Sequence, residues 1–187
     1  MKNVRNCTLC LNHLPLPPKP IFQISETAKI LIASQAPGLR AHETGITFND
    51  PSGDRLRKWM DIDRETFYDP TRIAIIPMGL CYPGSGNYGD LPPRPECAKL
   101  WREKLLALIP EIQLTLVIGK YAQNWHIAKK QKKNLTDTVK SWKEFWPNQL
   151  PLPHPSGRNN LWLKKNPWFE QEILPALREK IRRTLSA

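Results

Sequence analysis

Four cysteines carry the first chemical signal in this sequence. Cys7 and Cys10 form a C-x-x-C pair near the N-terminus, and Cys81 and Cys97 follow, sixteen positions apart. Thiolates are soft ligands that suit zinc and iron–sulfur clusters. A zinc ribbon pairs two close C-x-x-C knuckles, and the second pair here is spread too widely for that pattern. Four scattered thiolates suit a [4Fe–4S] cluster, with zinc the alternative and free thiols the plainest reading. A cluster held this way pins the N-terminal arm to the 81–97 segment, which is a structural role. The N-terminus leads from Met1-Lys2-Asn3 into the cysteine pair without the apolar core of an export signal. The expectation is a cytoplasmic protein whose cysteines bind metal before they form disulfides.

The charge balance points to a partner. Lys and Arg number 28 against 17 acids, a formal net charge of +11. Such an excess attracts polyanions, because phosphate contacts release counterions. DNA is the expected partner, and simple solubility is the bland explanation. The longest apolar runs, Ile73–Ile76 and Leu114–Ile118, fall far short of the ~20 residues that a bilayer requires, so no membrane partner is expected. The length suits one domain over 1–187, with 1–20 a cysteine- and proline-rich arm, and a monomer.

Chemistry of this kind needs elements to position it. Lys29–Ala33, Arg72–Ile76 and Leu114–Ile118 read as buried strands. Helical spacing covers 54–62, 95–108, 121–128, 134–146 and 171–185. Proline clusters at 14–20, 91–95 and 150–155 predict rigid loops. The stretch from Pro83 to Asp90 is rich in glycine, and Lys129–Lys133 is a basic run best read as a solvated helix end. Strands alternating with helices predict an α/β fold with a parallel sheet covered on both faces. Sites in such sheets form at the carboxyl ends of the strands. Gln35–Gly38, the segment after Ile76, Gly119 and the His154 loop should gather there.

Three stretches then match a family. Gln35-Ala36-Pro37-Gly38, Thr44-Gly45-Ile46-Thr47-Phe48 and Ser52-Gly53-Asp54-Arg55-Leu56 resemble the first motif of the iron–sulfur (family-four type) uracil-DNA glycosylases. The cysteine order resembles that group too, and His154-Pro155-Ser156 resembles the closing motif of the superfamily. The resemblance implies a three-layer α/β/α fold with a central, mostly parallel, four-stranded sheet. It implies base flipping and hydrolysis of the N-glycosidic bond of a deaminated base, uracil or a relative, in base excision repair. It makes His154 and Gln35 the catalytic candidates, with His154 donating a hydrogen bond to the departing base. Ala36, Gly38 and Phe48 become base-binding, Phe48 by stacking. Ser156, Gly157 and Arg158 become DNA-binding. Cys7, Cys10, Cys81 and Cys97 become cluster ligands.

The chain departs from the pattern where the acid belongs. Gln35 stands where the motif usually has Glu, Ala36 where a related branch has Asp, Ala41 at a further acidic position, and Pro77 where an Asn usually reads uracil. Gln35 can hydrogen-bond but cannot accept a proton. Glu43, Asp50 and His42 are nearby titratable candidates. The competing functions are a weak or inactive nucleic-acid binder that keeps the fold, and a cluster-based redox or structural module.

Overall fold

In a computed structural model of the chain, residues 1–87 and 89–186 are described; Tyr88, in the glycine-rich stretch, and Ala187, the last residue of the expected domain, lie outside them. The strands are β1 (Ile30–Ala33), β2 (Ile73–Ile75), β3 (Ser85–Gly86), β4 (Gly89–Asp90), β5 (Leu114–Ile118) and β6 (Gln149–Leu152). The helices are α1 (Lys2–Arg5), α2 (Leu39–Thr44), α3 (Pro51–Met60), α4 (Arg64–Tyr68), α5 (Pro95–Leu106), α6 (Gly119–His126), α7 (Leu135–Lys140), α8 (Asn160–Lys165) and α9 (Leu174–Ser186).

The apolar runs pair into one four-stranded parallel sheet in the order β2-β1-β5-β6. Side chains alternate across a strand, and the alternation divides the core into two layers. Ile30, Ile32, Ile73, Ile75, Leu114, Leu116, Leu150 and Leu152 face one way, onto Leu56 and Trp59 of α3, Phe169, and Leu177 and Ile181 of α9. Leu31 and Ala74 face the other way, onto Leu105 of α5, while Ala33 and Val117 meet Ala98 of α5 and Ala122 of α6. The result is the expected three-layer α/β/α arrangement. No helix among the described residues is long and apolar enough to cross a membrane.

Several elements differ from their expected form. The proline-rich 150–155 segment is not all loop. Gln149–Leu152 is β6, with Pro151 in register with Val117; proline is tolerated because β6 lies at the sheet edge. The expected 134–146 helix is α7 followed by a separate 3₁₀ turn at Trp142–Glu144. The C-terminal helix is preceded by a wide π turn, Phe169–Ile173. Pro175, which has no N–H, cannot give the bond to residue 171 that an ordinary turn requires. Lys129 and Lys130 fall in a short 3₁₀ turn after α6, and Lys132 pairs with Glu144 at 2.7 Å. Helices α2 and α4 and the β3–β4 hairpin fall in stretches whose sequence shows no clear period.

From the N-terminal arm, Val4 reaches the core layer that holds Leu31 and Ala74. Just after the arm, Phe22 joins the same layer and Gln23 forms an antiparallel bridge with Ile75.

Candidate active site

The carboxyl ends of three strands build one cavity of about 570 Å³. Ser34–Gly38 enters it from β1, Pro77 from β2, and His154 with Ser156–Asn159 from β6. Two backbone bonds, Met78 N–H to the Ser34 carbonyl (2.8 Å) and Gly79 N–H to the Gln35 carbonyl (3.0 Å), fix the first turn against the second. Gln35, Ala36, Gly38, Phe48, His154, Ser156, Gly157 and Arg158 all line this cavity. Gly119 opens α6 and is not part of the lining.

His154 is held as a neutral donor. Burial lowers its pKa, with the Arg158 charge acting the same way and Asp50 and Asp90 opposing. The Ser156 backbone N–H donates to Nδ1 at 3.2 Å, so Nδ1 is the acceptor and the ring proton of the neutral imidazole belongs on Nε2. The loop around it is tied twice more. Asn159 donates to the His154 carbonyl (2.6 Å), and Arg55 of α3 donates to the Ser156 carbonyl (3.0 Å).

Phe48 is both core and cavity wall. It is buried, meets Phe67 edge-on at 6.2 Å between ring centres, and lines the pocket. Its backbone sits at φ +52°, a left-handed conformation that is uncommon for a bulky residue. The neighbours hold it there. Tyr68 Oη and Arg57 Nη1 donate to its carbonyl at 3.0 and 3.5 Å, and Gly53 lets that carbonyl approach α3 closely.

Of the three candidates, only Asp50 lines the cavity, and its Oδ1 caps α3 by accepting from Gly53 N–H at 2.9 Å. His42 and Glu43 lie on α2, where Lys19 Nζ donates to their carbonyls. Sequence reasoning passed over Asp90, which ends the β3–β4 hairpin and lines the cavity. The only sequence signal for it is one acid at the end of the glycine-rich stretch. The Gln35 amide donates to the carbonyls of Asp90 (3.5 Å) and Leu91 (3.2 Å). A Cβ at Gly89, whose φ is +116°, would meet the Arg158 guanidinium.

The four cysteines meet at a second cavity, walled by Leu9, Leu14, Leu80 and Trp101. None forms a disulfide. Two of the sulfurs have an N–H donor: Trp101 Nε1 reaches Cys7 at 3.2 Å and Leu80 N reaches Cys97 at 3.3 Å. Burial pushes the Cys81 thiol up to about 11 and Cys97 up to about 12, so ligation there releases protons. Among the described residues, no three of His, Cys, Asp and Glu are placed to hold a single metal ion. The thiols instead ring a cavity. Four sulfurs gathered at one largely apolar cavity, two of them with N–H donors, are a donor set that suits a polynuclear thiolate centre.

Behind the pocket lies a buried cation. Arg102 of α5 is 1% exposed and donates to the carbonyls of Ile76 (2.5 Å) and Pro77 (3.4 Å). Its Nη2 lies 2.5 Å from His126 Nε2, which makes that nitrogen the acceptor of a neutral ring. Burial first, then the Arg102 charge, pushes His126 down to about 3. The unfolded chain therefore binds a proton that the folded chain refuses. Stability is complete above the ordinary histidine pKa and falls as pH drops from there toward the folded value, by up to about 1.4 kcal/mol per pH unit for one such group. His126→Gln should shrink the loss of melting temperature between about pH 7 and about pH 5. An unchanged loss would mean that the ring is not buried in its neutral form.

Fold and pocket together define a class: α/β proteins whose parallel sheet carries its site at the strand carboxyl ends, here between a glycine–proline turn and a histidine loop. The sequence model of the Uracil DNA glycosylase superfamily matches residues 21–178, and the chain belongs to that superfamily. The match begins after the Cys7–Cys10 pair. Among solved structures, the chain is similar to that of a candidate uracil DNA glycosylase from Methanosarcina acetivorans. The two are 17% identical with a TM-score of 0.50, over 86% of this chain and 98% of that one. At that identity the likeness is one of fold.

Proposed function

We propose that the protein is a DNA glycosylase that draws a deaminated base out of the stack and hydrolyses its N-glycosidic bond. One observation carries the reading: His154, with its donor proton assigned to Nε2, shares a cavity with the Gly38 turn. As the C1′–N bond breaks, negative charge collects on a carbonyl oxygen of the departing base. A neutral imidazole N–H stabilises that charge without taking up a charge of its own. Phe48 supplies a face for the extruded base, and the backbone at Ala36 and Gly38 approaches its edge. Ser156, Gly157 and Arg158 hold the phosphates at the cavity mouth, in keeping with the +11 charge. Pro77 offers no side-chain amide to read uracil, so the pocket accepts related deaminated bases as well.

The test is a panel of oligonucleotides carrying uracil, hypoxanthine or other damaged bases, with abasic sites revealed by alkali. Excision of at least one base is expected. Salt-dependent binding without excision would instead favour a nucleic-acid binder that keeps the fold, a reading suggested by Gln35 in place of an acid.

In the same reading, Cys7, Cys10, Cys81 and Cys97 hold a [4Fe–4S] cluster that fastens the arm, supported by the shared cavity and the N–H donors. Purified protein should absorb near ~400 nm and contain iron, whereas zinc, a d¹⁰ ion, gives no such band. Colourless protein containing zinc would end this part of the proposal.

A further inference from the structure

Glycosidic hydrolysis needs an activated water as well as a stabilised leaving group. Gln35 cannot activate it, because a neutral amide cannot accept a proton from water. Its amide is also engaged, donating to the Asp90 and Leu91 carbonyls. A carboxylate at position 35 would make neither bond and would face two carbonyl oxygens instead. Glutamine therefore does something glutamate cannot: it ties the β3–β4 hairpin to the turn after β1.

That hairpin brings its own acid. Ser85 Oγ donates to Asp90 Oδ1 at 2.9 Å, and Tyr82 Oη meets Ser85 Oγ at 2.8 Å, so one carboxylate oxygen is oriented from behind. The other, Oδ2, lies 3.3 Å from where a Cβ on residue 38 would sit. Glycine at 38 leaves that space open. Asp90 is close enough to His154 for its charge to act on the ring, although the two come from different strand ends. Asp50, the other carboxylate of the cavity, spends one oxygen on the N-terminus of α3.

The geometry points to Asp90 as the catalytic carboxylate of this pocket, in the place that the motif leaves to Gln35; the inference rests on the glycosylase reading above. The water oxygen bonds to C1′ and one of its protons passes to Asp90 Oδ2. The C1′–N bond breaks and its electron pair leaves with the base, whose anion accepts the His154 hydrogen bond. Asp90 returns the proton to solvent, and the base is protonated as it departs. The products are the free base and an abasic sugar bearing a C1′ hydroxyl.

The experiment compares wild type, Asp90→Asn and Asp90→Ala in single-turnover excision on the best base of the panel. Binding to DNA carrying an uncleavable 2′-fluoro nucleotide and the melting temperature are measured alongside. Asparagine keeps the acceptor for Ser85 and the backbone carbonyl for Gln35. The expected result is a loss of about 10²–10⁴-fold in the chemical step, the usual contribution of a positioned base, with binding and melting unchanged. Added formate should restore part of the Asp90→Ala activity, a rescue that a merely structural residue would not show. Full activity in Asp90→Asn overturns the assignment and leaves the glycosylase reading standing. So does an activity loss in Asp90→Asn matched by weakened binding or a lowered melting temperature, without formate rescue of Asp90→Ala. A wild type that excises no base overturns both.

Discussion

His154→Ala is expected to slow base excision by about 10²–10³-fold, the cost of removing one donor aimed at a developing oxyanion. The size follows from the state of the ring. Burial keeps the imidazole neutral, and Ser156 N–H occupies Nδ1, so Nε2–H is its one donor. Alanine removes that donor, and the neighbouring Asn159 amide donates to the loop backbone instead. The loop should survive the change, because Asn159 and Arg55 grip carbonyls rather than the ring. Binding to uncleavable DNA should therefore change little while the chemical step slows. His154→Asn, which restores an N–H on a shorter arm, should recover part of the loss. Wild-type rates in His154→Ala would remove the central support of the proposed function.

The second large effect is on stability. Gly53→Ala would place a methyl group on the Phe48 carbonyl oxygen, 2.7 Å from the carbonyl carbon and 2.9 Å from the Phe48 Cβ. Backbone cannot move aside as a flexible side chain would, and this carbonyl is also held by Tyr68 and Arg57. We expect a loss of about 3 kcal/mol, at the upper end for overpacking. For a domain of this size that is a fall of about 6–12 °C in melting temperature. Gly157→Ala is the matched control. Its nearest neighbour is the Asn160 side-chain nitrogen at 4.0 Å, so it should melt within a degree or two of wild type, on the order of ordinary surface changes. Equal melting temperatures for the two variants would mean that Phe48 does not sit where the structure has it.

The same residues show what could be read from sequence and what could not. β1, β2 and β5 are short apolar runs buried on both faces, and such runs announce themselves. β6 carries Pro151 at its centre, so local preference argued against a strand; only pairing with β5 makes it one. His154 and Phe48 were legible because the motif order placed them, although nothing local foretold the left-handed backbone of Phe48. Asp90 was invisible for a different reason. Strands β3 and β4 are two residues each, drawn from serine, glycine and aspartate, with no hydrophobic period to mark them. Their return over the Gly38 turn depends on contacts with Gln35 and Arg158, distant in sequence. The cysteines were legible as a set, but the Trp101 and Leu80 N–H groups that serve Cys7 and Cys97 carry no local sequence signal of that role.

The proline in β6 has a consequence for how the molecule ends. The Asn148 carbonyl accepts from Thr115 N–H, so in this parallel ladder the even-numbered residues bond inward to β5 and Pro151 faces outward. An incoming chain seeking to extend the sheet along β6 would find no donor at Pro151 and the Gln149 N–H already given to the Phe145 carbonyl. Long, unguarded margins invite fibril growth and stray dimers; this one is closed to them by a ring that cannot donate.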